Sequence, residues 1–195
     1  TPLRLEDLET GDIVLFSGRG LSARLVQGVT GSYWSHVGLV LRLPGRREPL
    51  LWESTRASAV VDVRRGVPLD GVQLVSLAVK LADYPGEVAA RRLLDAGAAH
   101  ARYRRMRPLL RAWHAWPYRN FLTKALRAWW SGEEDGLHGA QGGFCSELVA
   151  EVYQQLGLLS RQRPSRAFVP RDFGPEAGMQ LCRGRLSPVG LLQRV

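Results

Sequence analysis

Four apolar runs of five to eight residues, each bounded by turn-forming residues, occupy the first half of the chain: Gly11–Phe16 (GDIVLF), Ser35–Arg42 (SHVGLVLR), Leu50–Ser54 (LLWES) and Val72–Val79 (VQLVSLAV). Runs of this length, rich in Val, Ile and Leu and interrupted by Gly and Pro, read as strands. Between the first two lies LSARLVQGVTG, where Leu21, Leu25, Val26 and Val29 share one helical face and Gly31 supplies a stop. From Gly86 to about Arg105 the sequence is rich in Ala, Leu and Arg without proline, and a helix is expected there. Ser131–Gly143 is polar and glycine-rich, and so predicted to be a loop. It runs into FCSELVAEVYQQLG, where Leu148, Val149, Val152, Tyr153 and Leu156 make an apolar stripe, Glu147, Glu151, Gln154 and Gln155 a polar one, and Gly157 the stop.

With 195 residues and 45% hydrophobic composition, the chain fits one domain, residues 1–195, with a basic, Trp-rich helical insertion at about 86–143. No stretch of eighteen apolar residues occurs, nor the charged start and apolar core of a signal peptide, so the chain reads as soluble. It begins at Thr1, which leaves an upstream leader or anchor open; a cell-envelope or periplasmic setting is favoured over the cytoplasm. A formal charge of +9 predicts attraction to something anionic. The two cysteines, Cys145 and Cys182, cannot make a disulfide framework, and no Cys or His spacing suggests a zinc site.

Cys145 sits where the glycine-rich loop meets the amphipathic helix. Unpaired backbone amides and the positive end of the helix dipole favour a thiolate there, and the Cys145 N–H is the first candidate for an oxyanion donor. Gly142 and Gly143 would let substrate backbone come close. A cysteine that merely packs is the even-odds alternative from position alone. His36 lies inside an apolar strand, on the face opposite Val37, Leu39 and Leu41, and could supply the base that a thiol requires. His100, His114 and His138 lie in helical or loop contexts. Glu53 is the best-placed orienting group, with Asp62 in reserve. A two-residue turn at Pro44 and Gly45 would set His36 directly opposite Glu53, whereas a six-residue loop from Pro44 to Pro49 would offset them by about 13 Å.

The series GDIVLF, TGSYWSHVGLV, LLWES, FCSELVAEVY and VPRDF, in this order, resembles the permuted NlpC-like cysteine hydrolases of the YiiX and YebB group. The resemblance spans about residues 9–174 and implies a circularly permuted papain-like α+β fold, with an antiparallel sheet packed against the cysteine helix. It further implies Cys145 as nucleophile, His36 as base and Glu53 as third member; Tyr33, Ser35, Gly143 and Phe144, next to these residues in sequence, are the candidate substrate-binding residues. The implied chemistry needs no metal or organic cofactor. Relatives of that group include peptidoglycan amidases and endopeptidases, and also lipid acyltransferases. The expected substrate is accordingly a peptide or cell-wall peptide amide, with a lipid acyl group as the alternative.

Residues 101–130 carry eight Arg or Lys and no acid, interleaved with Trp113, Trp116, Trp129 and Trp130. Such a segment suits an anionic membrane surface. Nucleic acid ranks lower because no recognised nucleic-acid module occurs. Aromatics packed on the core beneath a solvated arginine face are an equal alternative, and a non-catalytic module binding membrane or polyanion is the third functional reading.

Overall fold

The computed structural model describes residues 2–56, 58–115 and 144–193. It is an α+β fold built on a six-stranded antiparallel sheet. The strands are β1 (Ile13–Gly18), β2 (His36–Leu41), β3 (Leu50–Thr55), β4 (Gly71–Ser76), β5 (Gly86–Arg91) and β8 (Gly190–Leu191), in the order β4-β3-β2-β1-β5-β8. A two-stranded pair, β6 (Leu93–Leu94) with β7 (Arg185–Leu186), lies beside it. The helices are α1 (Leu21–Thr30), α2 (Leu77–Ala82), α3 (Ala99–Trp113), α4 (Phe144–Gln155) and α5 (Pro170–Phe173). No helix among the described residues is long and apolar enough to cross a membrane.

Both faces of the sheet are covered, which is why its inner strands read as unbroken apolar runs rather than as alternating ones. On one face Ile13, Leu15, Val37, Leu39 and Trp52 pack against the stripe Leu148, Val149, Val152, Tyr153 and Leu156 of α4 and against Met106 and Leu110 of α3. On the other face Val14, Phe16, Val40, Leu51 and Val75 meet Leu77 and Leu81 of α2. Each fully buried Val, Leu or Phe contributes about 1.5–3 kcal/mol. The buried Tyr153 hydroxyl donates to the carbonyl of Gly11 at 2.7 Å and so ties α4 to the start of β1. Gly157, at φ +70°, ends the α4 segment as expected, and Gly31, at φ +59°, caps α1.

Two sequence-based expectations are corrected. The run Val72–Val79 is a strand only to Ser76; Leu77–Ala82 turns into α2, and the Ser76 hydroxyl accepts the Val79 N–H at 3.4 Å. The helix expected over Gly86–Arg105 is absent from its first part, where Gly86–Arg91 is β5, paired along β1 from Gly18 to Ile13. The helix begins only at Ala99. Helix propensity of Ala and Leu is a weak preference, and β1 needs a partner on each side once its own groups are buried. Gly86 marks the strand instead, since a Cβ there would lie 2.0 Å from the Ser17 carbonyl oxygen. The insertion expected at 86–143 thus begins with sheet, and residues 116–143 lie outside the described part. The helix α1 forms where expected, with Leu21 87% and Leu25 59% exposed. Its hold on the core includes Gln27, whose amide donates to Ser17 Oγ at 3.1 Å and to the Tyr33 carbonyl at 2.8 Å.

Gly38 is the tightest point of β2, because a Cβ there would meet Leu51 Cδ1 at 2.7 Å. Gly38→Val should therefore cost about 1–3 kcal/mol by overpacking, read in thermal unfolding as a Tm lower by about 2–10 °C.

Candidate active site

Glu53 is fully buried on the α2 face of the sheet, and three donors converge on its carboxylate. His36 Nε2 lies 2.6 Å from Oε2. The Gln73 amide from β4 donates to Oε1 at 2.7 Å, and the Lys80 ammonium from α2 reaches the same oxygen at 2.8 Å.

The strand register explains how His36 and Glu53 meet. Pairs Leu39↔Trp52, Val40↔Leu51 and Leu41↔Leu50 close an eight-residue loop over 42–49, neither of the two connections weighed from sequence. Continuing that register sets Gly38 opposite Glu53, with His36 one diagonal step away on the same face. Gly38 has no side chain, so nothing stands between the carboxylate and the imidazole.

α4 packs on the opposite face of the sheet from Glu53. His36, however, is the first residue of β2, and a strand end can be reached from both faces. There the imidazole is hydrogen-bonded to Cys145 as well as to Glu53. With Nε2 engaged by Glu53, Nδ1 is the nitrogen left for the thiol. Cys145, 6% exposed, lies in the first turn of α4, and the buried Ser146 hydroxyl beside it donates to the Phe168 carbonyl at 2.6 Å, pinning that turn.

The electrostatics follow from burial and from the order of charges. Burial by itself disfavours both the Cys145 thiolate and the His36 imidazolium, yet their mutual attraction and hydrogen bond outweigh it. The thiol is held below its usual range, with hydrogen bonds from the Val37 and Ser146 backbone adding to the effect. The imidazole is raised to about 9, with Glu53 contributing. Burial likewise disfavours the Glu53 carboxylate, but Lys80 and His36 outweigh it and bring the group down to about 2. Tyr84 lies near the same centre, hydrogen-bonded to Ser35; burial, the Ser35 contact notwithstanding, raises its hydroxyl to about 12, and the negative charges of Glu53 and Cys145 add to this.

The structure therefore brings Cys145, His36 and Glu53 together. Ser35 does structural work beside them: its hydroxyl donates to the Phe16 carbonyl at 3.2 Å and accepts the Gly18 N–H at 3.1 Å. Tyr33 is 51% exposed and its hydroxyl donates to Glu87. Gly143 and the loop expected over 131–143 lie outside the described residues, as does the side chain of Phe144. Asp62, the reserve, is elsewhere: buried, it accepts the backbone N–H groups of Arg64, Arg65 and Leu74 at 2.9, 2.8 and 2.7 Å, with His114 Nε2 3.3 Å away. Cys182 is exposed, and neither it nor Cys145 takes part in a disulfide. Sequence reasoning missed Lys80, Gln73 and Tyr84. The signal was present for the first two, each a polar residue interrupting an apolar run, in LAVKLA and in VQLV.

No family model matches the chain, and no curated protein matches it. Among solved structures it is similar to the crystal structure of metalloprotein YiiX from Escherichia coli O157:H7, assigned there to DUF1105. The TM-score is 0.50 at 19% identity, over 96% of this chain and 98% of that one. The fold is YiiX-like. At that identity the likeness speaks for the fold alone. Among the described residues no group of three or more His, Cys, Asp and Glu side chains is arranged to hold a metal ion.

The depressed Glu53 value has a consequence for acid stability. A carboxylate near 2 when folded and near 4.5 when unfolded stabilises the protein above pH 4.5, and that contribution is lost as pH falls from about 4.5 to about 2. Urea unfolding of wild type and Glu53→Gln across pH 2 to 6 should show a lower stability for the variant at pH 6 and a shallower loss below pH 4.5.

Proposed function

We propose that this chain is a cysteine hydrolase of the permuted papain-like NlpC type, cleaving amide bonds in peptides or cell-wall peptides through a thioacyl-enzyme. The observation that carries this reading is the contact chain Cys145–His36–Glu53, with the thiol lowered and the imidazole raised. A thiolate beside an imidazolium is the reactive form of a cysteine nucleophile. Its attack on the carbonyl carbon would place the oxyanion near the first amides of α4, with the Cys145 N–H as the leading donor. The His36 Nδ1 proton then goes to the leaving amine as the C–N bond breaks. The neutral imidazole next takes a proton from water, whose oxygen attacks the thioester and releases the acid and the thiolate. Glu53 holds the ring orientation throughout and stabilises its cationic form, as the third member of such triads does.

A second reading, a lipid acyl hydrolase or acyltransferase at an anionic surface, draws on α3. Arg104, Arg107 and Arg111 are exposed along one side of that helix and border an open groove of about 610 Å³ with Pro108 and Ala112. Other parts of the basic segment serve the core: Arg102 donates to the Thr10 carbonyl at 2.7 Å, and Trp113 stacks on Trp52 at 6.1 Å. The third reading, a silent binding module, would leave Cys145 dispensable.

Release of free amine from peptidoglycan fragments, measured beside release of fatty acid from phospholipid vesicles, separates the first two readings. Cys145→Ala should abolish whichever activity is found, and His36→Ala should lower kcat/KM by about 10²–10⁴-fold. Full function of Cys145→Ala in cells would leave the binding module as the surviving reading.

A further inference from the structure

We propose that Lys80 is a positioning residue of this site, whose ammonium keeps Glu53 ionised and thereby holds the His36 imidazolium against the Cys145 thiolate. This rests on the Cys145–His36 reading above.

The geometry is that of a continuous chain of alternating charge. The Cys145 thiolate meets the His36 imidazolium, the imidazolium meets Glu53 Oε2 at 2.6 Å, and Glu53 Oε1 meets Lys80 Nζ at 2.8 Å. All four members are largely removed from water, with His36 and Lys80 side chains 17% and 13% exposed and Glu53 not at all. Counted together they are neutral. Without Lys80 the remaining three carry a net negative charge in a place where water cannot screen it. Gln73 donates to the same Glu53 oxygen but brings no charge, so it can orient the carboxylate without keeping it ionised. The cheapest relief is a proton on Glu53, and an uncharged Glu53 no longer favours imidazolium over imidazole. The proton on His36 then returns to sulfur, leaving a thiol beside a neutral ring.

Among the described residues, the other titratable group near this chain of charges does not replace Lys80. Tyr84 faces both Glu53 and Cys145, and its raised hydroxyl remains neutral over the working range. At Cys145 the backbone of Val37 and of Ser146 adds donors that carry no ionisable group. Lys80 stands on α2, the short helix created where β4 ends at Ser76, and its neighbours Leu77 and Leu81 are buried in the sheet. The helix is thus fixed by packing, and the ammonium arrives at Glu53 with little freedom left to lose.

The test is the pH dependence of Cys145 alkylation by iodoacetamide in the full chain, read by peptide mass spectrometry from pH 4 to 10 with the exposed Cys182 as internal reference. Wild type, Lys80→Met, Lys80→Arg, Glu53→Gln and the double variant Glu53→Gln with Lys80→Met are compared after thermal melts have shown each to be folded. Lys80→Met should raise the Cys145 midpoint and slow labelling at pH 6 by about tenfold or more, the size of a shift of one pH unit. Lys80→Arg should recover most of that loss. In the Glu53→Gln background the Lys80→Met change should add nothing, because both act through one carboxylate. A Lys80→Met midpoint equal to wild type overturns the proposal, as does an equal loss in the Glu53→Gln background. Should Lys80→Met fail to fold, Lys80→Arg and the neutral double variant still decide the matter: a wild-type midpoint in the double variant, or a Lys80→Arg midpoint raised as far as that of Glu53→Gln, overturns it. Identical midpoints for Cys145 and Cys182 in wild type would instead remove the nucleophile reading on which the proposal stands.

Discussion

A carboxylate with no access to water survives as an anion only where donors surround it, and in this chain Glu53 is surrounded by His36, Gln73 and Lys80. Much of the architecture serves that contact. Three strands and one short helix each contribute a residue: β3 the carboxylate, β2 the imidazole, β4 the amide and α2 the ammonium. Any slip in the pairing of β2 with β3 by one residue would send Glu53 to the α4 face and leave Lys80 and Gln73 without their acceptor.

The reactive pair depends on a different geometric fact. Cys145 belongs to a helix on one face of the sheet, while Glu53 and Lys80 belong to the other. They are linked through His36 because His36 is the first residue of β2, and a strand end can be reached from both faces. The helix start adds backbone donors at the sulfur, and the Ser146–Phe168 hydrogen bond keeps that start in place. The charges around Glu53 are buried on one side of the sheet, and the Cys145 sulfur lies beside the end of β2. This division lets the carboxylate remain dry while the sulfur sits at the boundary of the core.

Much of this was legible in the residues themselves. The α4 stripe, its glycine stop and the first-turn position of Cys145 follow from a 3.6-residue period, a local property that tertiary context did not disturb. β1, β2 and β3 were equally plain, because strands buried on both faces carry unbroken apolar runs. β5 was misread as helix, since its Ala and Leu content favours helix locally while the vacancy beside β1 decided for strand.

The sequence by itself determined which residue types could do thiol chemistry, and it placed Cys145 at a helix start and His36 and Glu53 on strands. These are consequences of local periodicity and of residue chemistry. Only the tertiary structure decided that the three meet. The offset between β2 and β3 is set by the eight-residue connection and the packing around Gly38, and α4 arrives from more than ninety residues away. The contact of Lys80 with Glu53 was decided there too, because the end of β4 and the turn into α2 bring the ammonium onto the face that carries Glu53. Local sequence encodes the period of an element, but contacts between elements depend on register and long-range packing, and those are settled only when the whole core closes.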